Sequence, residues 1–144
     1  MKNILVFALV LVTKFCMAQK EPIEKIWWNE EKTSKIQIFK ATDGYFYGKI
    51  IYLQTPNDKN GHPRVDNKNP DDKLKSTPVL NLIILKKFKK STEPNVYEDG
   101  TVYDPNSGKT YCGKLTLAER SLKLRGFICS FSWLGRSSVW TLAE

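Results

Sequence analysis

From residue 26 onward, short runs of alternating apolar and polar residues are separated by clusters of Gly, Pro, Asn and Asp. A period of two places successive side chains on opposite faces of a strand. Ser34 to Lys40 (SKIQIFK) alternates in this way, with Ile36 and Ile38 on one face. Tyr45 to Leu53 (YFYGKIIYL) is rich in aromatic and β-branched residues, which suit a pleated, half-buried surface. Thr42-Asp43-Gly44 between them is a turn signal, so residues 33–41 and 45–53 read as a hairpin. Gly48 inside the second strand marks a bulge or a close backbone approach. In Val79 to Phe88 (VLNLIILKKF), both faces of Leu82 to Leu85 are apolar, so that segment is expected to be covered on both sides.

The later half carries the densest pattern. Asp104, Pro105 and Gly108 suit a tight hairpin turn, which makes Gly100 a bulge within the preceding strand. Lys109 to Leu117 then pairs with Leu122 to Phe131. Tyr111, Gly113, Leu115 and Leu117 face Leu122, Leu124, Gly126 and Ile128, while Lys114, Thr116, Lys123 and Arg125 take the opposite faces. One apolar face and one wet face are the mark of an antiparallel sheet. Gly135 to Leu142 adds a last strand containing Trp140. The strands expected are one near 26–30, then 33–41, 45–53, 79–89, 95–104, 109–118, 121–131 and 136–142. The fold class is therefore all-β, a single antiparallel up-and-down β-barrel of about eight strands, with a two-sheet β-sandwich as the alternative.

Residues 54–78 break the pattern, with Pro56, Gly61, Pro63, Pro70 and Pro78 among Asn, Asp and Lys. A loop of this length in a compact domain is often functional. It reads as a lid over a barrel mouth or as a solvated connector. Asn69-Pro70-Asp71-Asp72 could start one helical turn, with Asn69 as N-cap and Pro70 at the first position.

The start of the chain, MKNILVFALVLVTKFCMAQ, has a cation at Lys2, an apolar core from Ile4 to Val12 and small residues before Gln19. It reads as a secretory signal peptide over residues 1–18, leaving 19–144 as one barrel domain. The apolar run falls short of the roughly 20 residues a membrane helix needs. Lys14 and Phe15 ahead of Cys16 argue against a lipidated cysteine. The expected location is periplasmic or extracellular. Cleavage removes Lys2 and Lys14 and no acid, so the net charge falls from +8 to +6. Such a chain can meet anionic lipid or polysaccharide, with Lys86, Lys87, Lys89 and Lys90 as the candidate contact. Nucleic acid is not an expected partner across the inner membrane.

No arrangement of residues announces catalysis. His62 is the only histidine and lies in the long loop, so neither a transition-metal site nor a Ser-His-Asp system is suggested. Asp66, Asp71 and Asp72 with Asn67 and Asn69 lack the glycine and glutamate of a twelve-residue calcium loop. Gly108-Lys109-Thr110 resembles the end of a phosphate loop, but Asp104 occupies the place of its first glycine. No metal or cofactor is expected. Cys112 and Cys129 fall on the polar-face parity of the 109–131 hairpin. They make a possible disulfide only if they are direct cross-strand partners within about 7 Å of each other; otherwise two free thiols are expected.

The run Asp104-Pro105-x-Ser107-Gly108-Lys109-Thr110-Tyr111, then Leu124-x-Gly126 and Gly135-Arg136-Ser137-x-x-Trp140, resembles the bacterial secreted family DUF2147. Asp43-Gly44 with Gly48-Lys49-Ile50, and Asn69-Pro70-Asp71, fit the same family. The resemblance spans essentially the whole secreted chain and implies a barrel similar to lipocalins and fatty-acid-binding proteins. It transfers no activity, because the family is uncharacterised. The chain departs from it at Thr77 to Leu82, which lacks an arginine and a leading glycine, and after Trp140, where an arginine two residues on is replaced by Leu142. The expected function is binding of a small apolar or amphipathic ligand. The candidate lining is Trp28, Ile38, Tyr47, Ile51, Leu82, Ile84, Leu115 and Leu124, each of which core packing would equally explain. The alternative is a filled barrel acting as an envelope structural or interaction module, and an enzyme is not expected.

Overall fold

A computed structural model describes residues 19–143. The signal peptide expected at 1–18 lies outside the described residues. Eight strands form one closed antiparallel barrel in chain order, which excludes the sandwich. They are β1 (Ile26–Trp28), β2 (Ser34–Lys40), β3 (Phe46–Leu53), β4 (Ile83–Lys90), β5 (Val96–Asp104), β6 (Lys109–Leu117), β7 (Ser121–Ile128) and β8 (Phe131–Leu142). Each strand pairs with the next, and β1 closes on β8.

Local chemistry sets the turns. Asp43 accepts from the Tyr45 amide, and Gly44 takes a left-handed φ of 85° between β2 and β3. Asp104 accepts from the Asn106 amide and the Ser107 hydroxyl, and Gly108 supplies the left-handed residue, as its position in the motif predicts. The last hairpin differs from expectation. The chain reverses at Cys129-Ser130, and β8 starts at Phe131 rather than near residue 136. Between the Phe127↔Gly135 and Ile128↔Phe131 pairs the register shifts, and Ser132 to Leu134 bulge out of the ladder.

The lower barrel is solid. Phe88 is fully buried and lies between Gly100 of β5 and Gly113 of β6. A Cβ on Gly113 would stand 2.6 Å from the Phe88 ring and 2.8 Å from Val102. Both glycines thus make room for one large aromatic side chain that fills the interior. Phe46 and Tyr97 meet edge to face beside it, with ring centroids 5.0 Å apart. Residues 19–25 close this end: Ile23 is fully buried, and the Trp27 indole donates to the Ile23 carbonyl at 3.1 Å.

The parity of three expected lining residues is corrected here. Trp27, not Trp28, enters the core, while Trp28 packs outside against Tyr52 with Lys35 over its ring. In β3 the buried set is Phe46, Gly48 and Ile50, so Tyr47 and Ile51 face away from the interior. Tyr47 stacks on Phe39 and donates its hydroxyl to Asp43. Each aromatic neighbour pair (Trp27-Trp28, Phe46-Tyr47) offers two equivalent anchors in sequence, and only the strand register selects one.

The 54–78 loop packs at the β5–β6 end of the barrel, where Lys68 lies against the Gly108 turn and Arg64 donates to Asn106. Its fully buried Asp66 accepts hydrogen bonds from the Tyr103 hydroxyl and the Asn69 side-chain amide, both at 2.7 Å. Tyr103 shares the outward parity of Thr101 on β5, opposite to Gly100. The helical turn is a short 3₁₀ segment, Asp72–Leu74, capped by Asp71 accepting from the Lys73 amide. Asn69 instead accepts from the Asp71 amide, so the expected cap lies two residues too early.

A methyl group at Gly100 has no space beside Phe88, so Gly100→Ala should destabilise the barrel by about 1–3 kcal/mol, the usual cost of overpacking. Gly126→Ala, where a Cβ meets only Tyr111 at 3.8 Å, should be nearly neutral. Urea denaturation of the two variants checks this contrast.

Candidate functional site

The interior face opens at the end where β5 turns into β6 and β7 into β8. Above Leu115 and Leu124, both in the core, the same face continues as Tyr111 and Lys109 on β6, Gly126 and Ile128 on β7, and Arg136 on β8. These residues, with Phe127 and Leu134, bound a cleft of 640 Å³. Gly126 keeps it open, because its missing side chain leaves the Tyr111 Cβ as the only neighbour.

The barrel is also open along one flank. β1 pairs with β8 only at Trp27↔Leu142 and Trp28↔Thr141. Beyond that point the β1–β2 turn caps β8 from the side, with the Val139 amide donating to Glu30 and Lys32 bonding Thr141. Among the described residues, Phe131 to Ser138 pair with β7 alone. Up to Phe127, β7 stays paired with β6, so the upper β7–β8 ribbon is joined to the barrel on its β7 side and has a free edge along β8.

A disulfide between Cys112 and Cys129 holds this ribbon to β6, with the Cα atoms 5.1 Å apart. The expectation of two free thiols is corrected. The direct partner of Cys112 is Phe127, and Cys129 reaches it because the chain already turns back at that residue. Reading the strand on to Phe131 hides that turn.

The eight expected lining residues divide. Ile38, Ile84, Leu115 and Leu124 are buried in the core, and Leu82 packs partly against it. Trp28, Tyr47 and Ile51 are off the interior face. None of the eight lines the open cleft. Of the motif residues, Asp104, Lys109, Tyr111, Gly126, Gly135 and Arg136 do line it. Pro105 and Gly108 stay in the turn, where Gly108 packs against the Lys68 backbone, and Trp140 is buried. Alternation alone puts Tyr111, Gly126 and Ile128 on the interior face, and their nearness to the strand ends is the signal that places them at its mouth.

The loop builds two further clefts. One of 590 Å³ is polar and bounded by loop residues with Pro105 and Asn106. The other, of 340 Å³, lies between Asn69, Leu74 and Thr77 of the strap and Thr101 and Tyr103 of the outer wall. The first is also lined by the core residue Val79, and the second by Leu82, which packs against the core. His62 is exposed and faces Asp58 at 3.7 Å. Among the described residues no three His, Cys, Asp or Glu side chains converge as metal ligands. Within the basic end of β4, Lys89 pairs with Asp99 at 3.0 Å and Lys90 with Glu21 at 2.8 Å, which weakens that segment as an anion surface.

A closed eight-stranded up-and-down antiparallel barrel is the architecture of the lipocalins. The chain belongs to the DUF2147 family, described as an uncharacterized protein conserved in bacteria, whose model matches residues 26–142. Its fold is similar to that of protein HP1028 from Helicobacter pylori, described as belonging to the lipocalin family. The TM-score is 0.72 at 21% identity, over 88% of this chain and 85% of that one. No curated protein matches the chain.

Two tyrosines titrate late. Burial, reinforced by Glu21 and Glu24, pushes Tyr97 up to about 12. Burial and the hydrogen bond to Asp66 push Tyr103 up to about 12. Both keep their protons in the folded chain after unfolded tyrosine, near 10, has lost its own. Their contribution to stability is complete below pH 10 and is lost as pH rises from there toward about 12. Absorbance titration of tyrosinate should show a late component that Tyr97→Phe and Tyr103→Phe each reduce.

Proposed function

We propose that the protein is a secreted, non-catalytic binding barrel that takes a small amphipathic ligand through its open mouth. The apolar part rests against Tyr111, Phe127 and Leu134, and an anionic head group lies between Lys109 and Arg136. The observation that carries this reading is the contrast between a barrel packed solid around Phe88 and a 640 Å³ cleft left open above it by Gly126. A cleft of that volume falls within the roughly 300–1,000 Å³ common to small-molecule sites, which combine apolar lining with a few polar anchors. The Cys112–Cys129 disulfide supports an oxidising compartment and hence export.

The depth of the site follows from the packing. A ligand lies across the mouth and cannot thread the whole barrel, because Phe88 blocks the lower half. The same solid core favours the alternative of an interaction module with no ligand.

One titration separates the two. The protein is titrated with a dansyl-labelled fatty acid, followed by the rise in dansyl emission. Saturable binding is expected, and Gly126→Leu should weaken it by about tenfold or more, equivalent to roughly 1.4 kcal/mol. Arg136→Gln should weaken the free acid more than its methyl ester. Absence of saturable binding, or an unchanged affinity in a well-folded Gly126→Leu, would leave the filled-barrel module as the function.

A further inference from the structure

The aromatic pair at the β7–β8 tip lies outside the core and outside the residues that line the mouth. Trp133 is 73% exposed and Phe131 51%, and their rings meet edge to face at 6.2 Å. Ile128 and Leu134 beside them are also exposed. The register shift that bulges Ser132 to Leu134 out of the ladder presents Trp133 outward. Large apolar side chains grouped at one hairpin turn, rather than scattered singly, mark an interaction site.

The tip is held in place. The Cys112–Cys129 disulfide ties its turn to β6, and the Arg125 guanidinium donates to the Ser132 carbonyl at 2.9 Å. That second contact sets a cation directly behind the aromatic pair. Arg125 and Arg136 lie on the tip half of β7 and β8 and Lys109 at the adjoining end of β6, whereas Lys114 pairs with Glu93 and Arg120 and Lys123 lie toward the opposite end of the barrel. The tip end of these strands is thus basic.

We propose that the β7–β8 tip docks the protein on an anionic phospholipid bilayer. Trp133 and Phe131 enter the headgroup region, where amphipathic aromatic rings partition, and the cations behind them face the lipid phosphates. Penetration stops there. Along Phe131 to Ser138 one edge of the ribbon has no strand beside it, and unpaired backbone groups are costly in the hydrocarbon. Charge complementarity selects lipid over a second copy of the chain, since the basic face would repel itself.

The test uses vesicles of phosphatidylglycerol mixed with phosphatidylcholine, and vesicles of phosphatidylcholine alone. The protein should float with the anionic vesicles, bind the neutral ones much less, and be released by high salt. Phe131→Ser with Trp133→Ser should lower binding about tenfold or more, because the apolar contribution to interfacial binding scales with buried area. Both side chains are exposed, so the thermal midpoint should stay unchanged. Acyl-brominated lipid should quench tryptophan emission, and Trp133→Phe should float normally while losing most of that quenching. No flotation, equal binding to both vesicles, or normal flotation of the double serine variant would each overturn the proposal. So would a dimer in light scattering that the double serine variant abolishes, with no vesicle binding, because the occupant would then be a second copy. Vesicle association is read without any soluble ligand, so its failure is distinct from failure of the mouth to bind one.

Discussion

Everything in this barrel depends on how one phenylalanine fills it. Phe88 is buried to the last atom because β5 and β6 each present a glycine to its ring. A small barrel must fill its interior with side chains or leave a void, and voids forfeit both dispersion and transfer free energy. Here the filling is concentrated in the lower half, where Phe88, Phe46 and Tyr97 meet under a plug made by Ile23. That concentration leaves the upper β6–β8 side open, while Ile36, Ile50 and Val79 carry the packing up the β2–β4 side.

The mouth follows from this division of labour. Tyr111, Gly126 and Arg136 stand on the same face as the core residues Leu115 and Leu124, only further along their strands. The incomplete seam between β1 and β8 leaves the mouth open sideways as well as upward. None of the long loop's residues lines the cleft, and the buried Asp66 carboxylate fastens the loop to Tyr103 on β5. A carboxylate buried without a cation is tolerated only when hydrogen-bonded, and Tyr103 and Asn69 supply those bonds. The disulfide has a corresponding role at the β7–β8 turn, tying it to β6.

Binding at the mouth and docking at the tip are compatible through geometry. Ile128 and Leu134 belong to both, lining the cleft and contributing to the exposed apolar surface. An amphipathic molecule leaving a bilayer at the tip would meet the cleft without crossing open water. The two readings nevertheless rest on different observations, the cleft on Gly126 and the tip on Trp133.

The alternation in β2, β3, β6 and β7, and the turn chemistry at Asp43-Gly44 and Asp104 to Gly108, are local, so the sequence by itself determined these strands and an all-β fold. Closure into a barrel rather than a sandwich was decided by the pairing of β1 with β8. The sequence also determined which residues of β6 and β7 face inward, because a period of two admits one assignment once a single core residue is known. Other features are decided between distant segments. Whether Trp27 or Trp28 enters the core depends on the pairing of β1 with β2 and β8. The turn at Cys129-Ser130 looks like strand until its partner on β8 is known, and with it the disulfide and the exposed Phe131 and Trp133 stay hidden. Whether an inward residue is core or mouth depends on how far the filling reaches along the barrel axis. Only the tertiary structure decided that, because Phe88 sets the depth through contacts with glycines on two other strands.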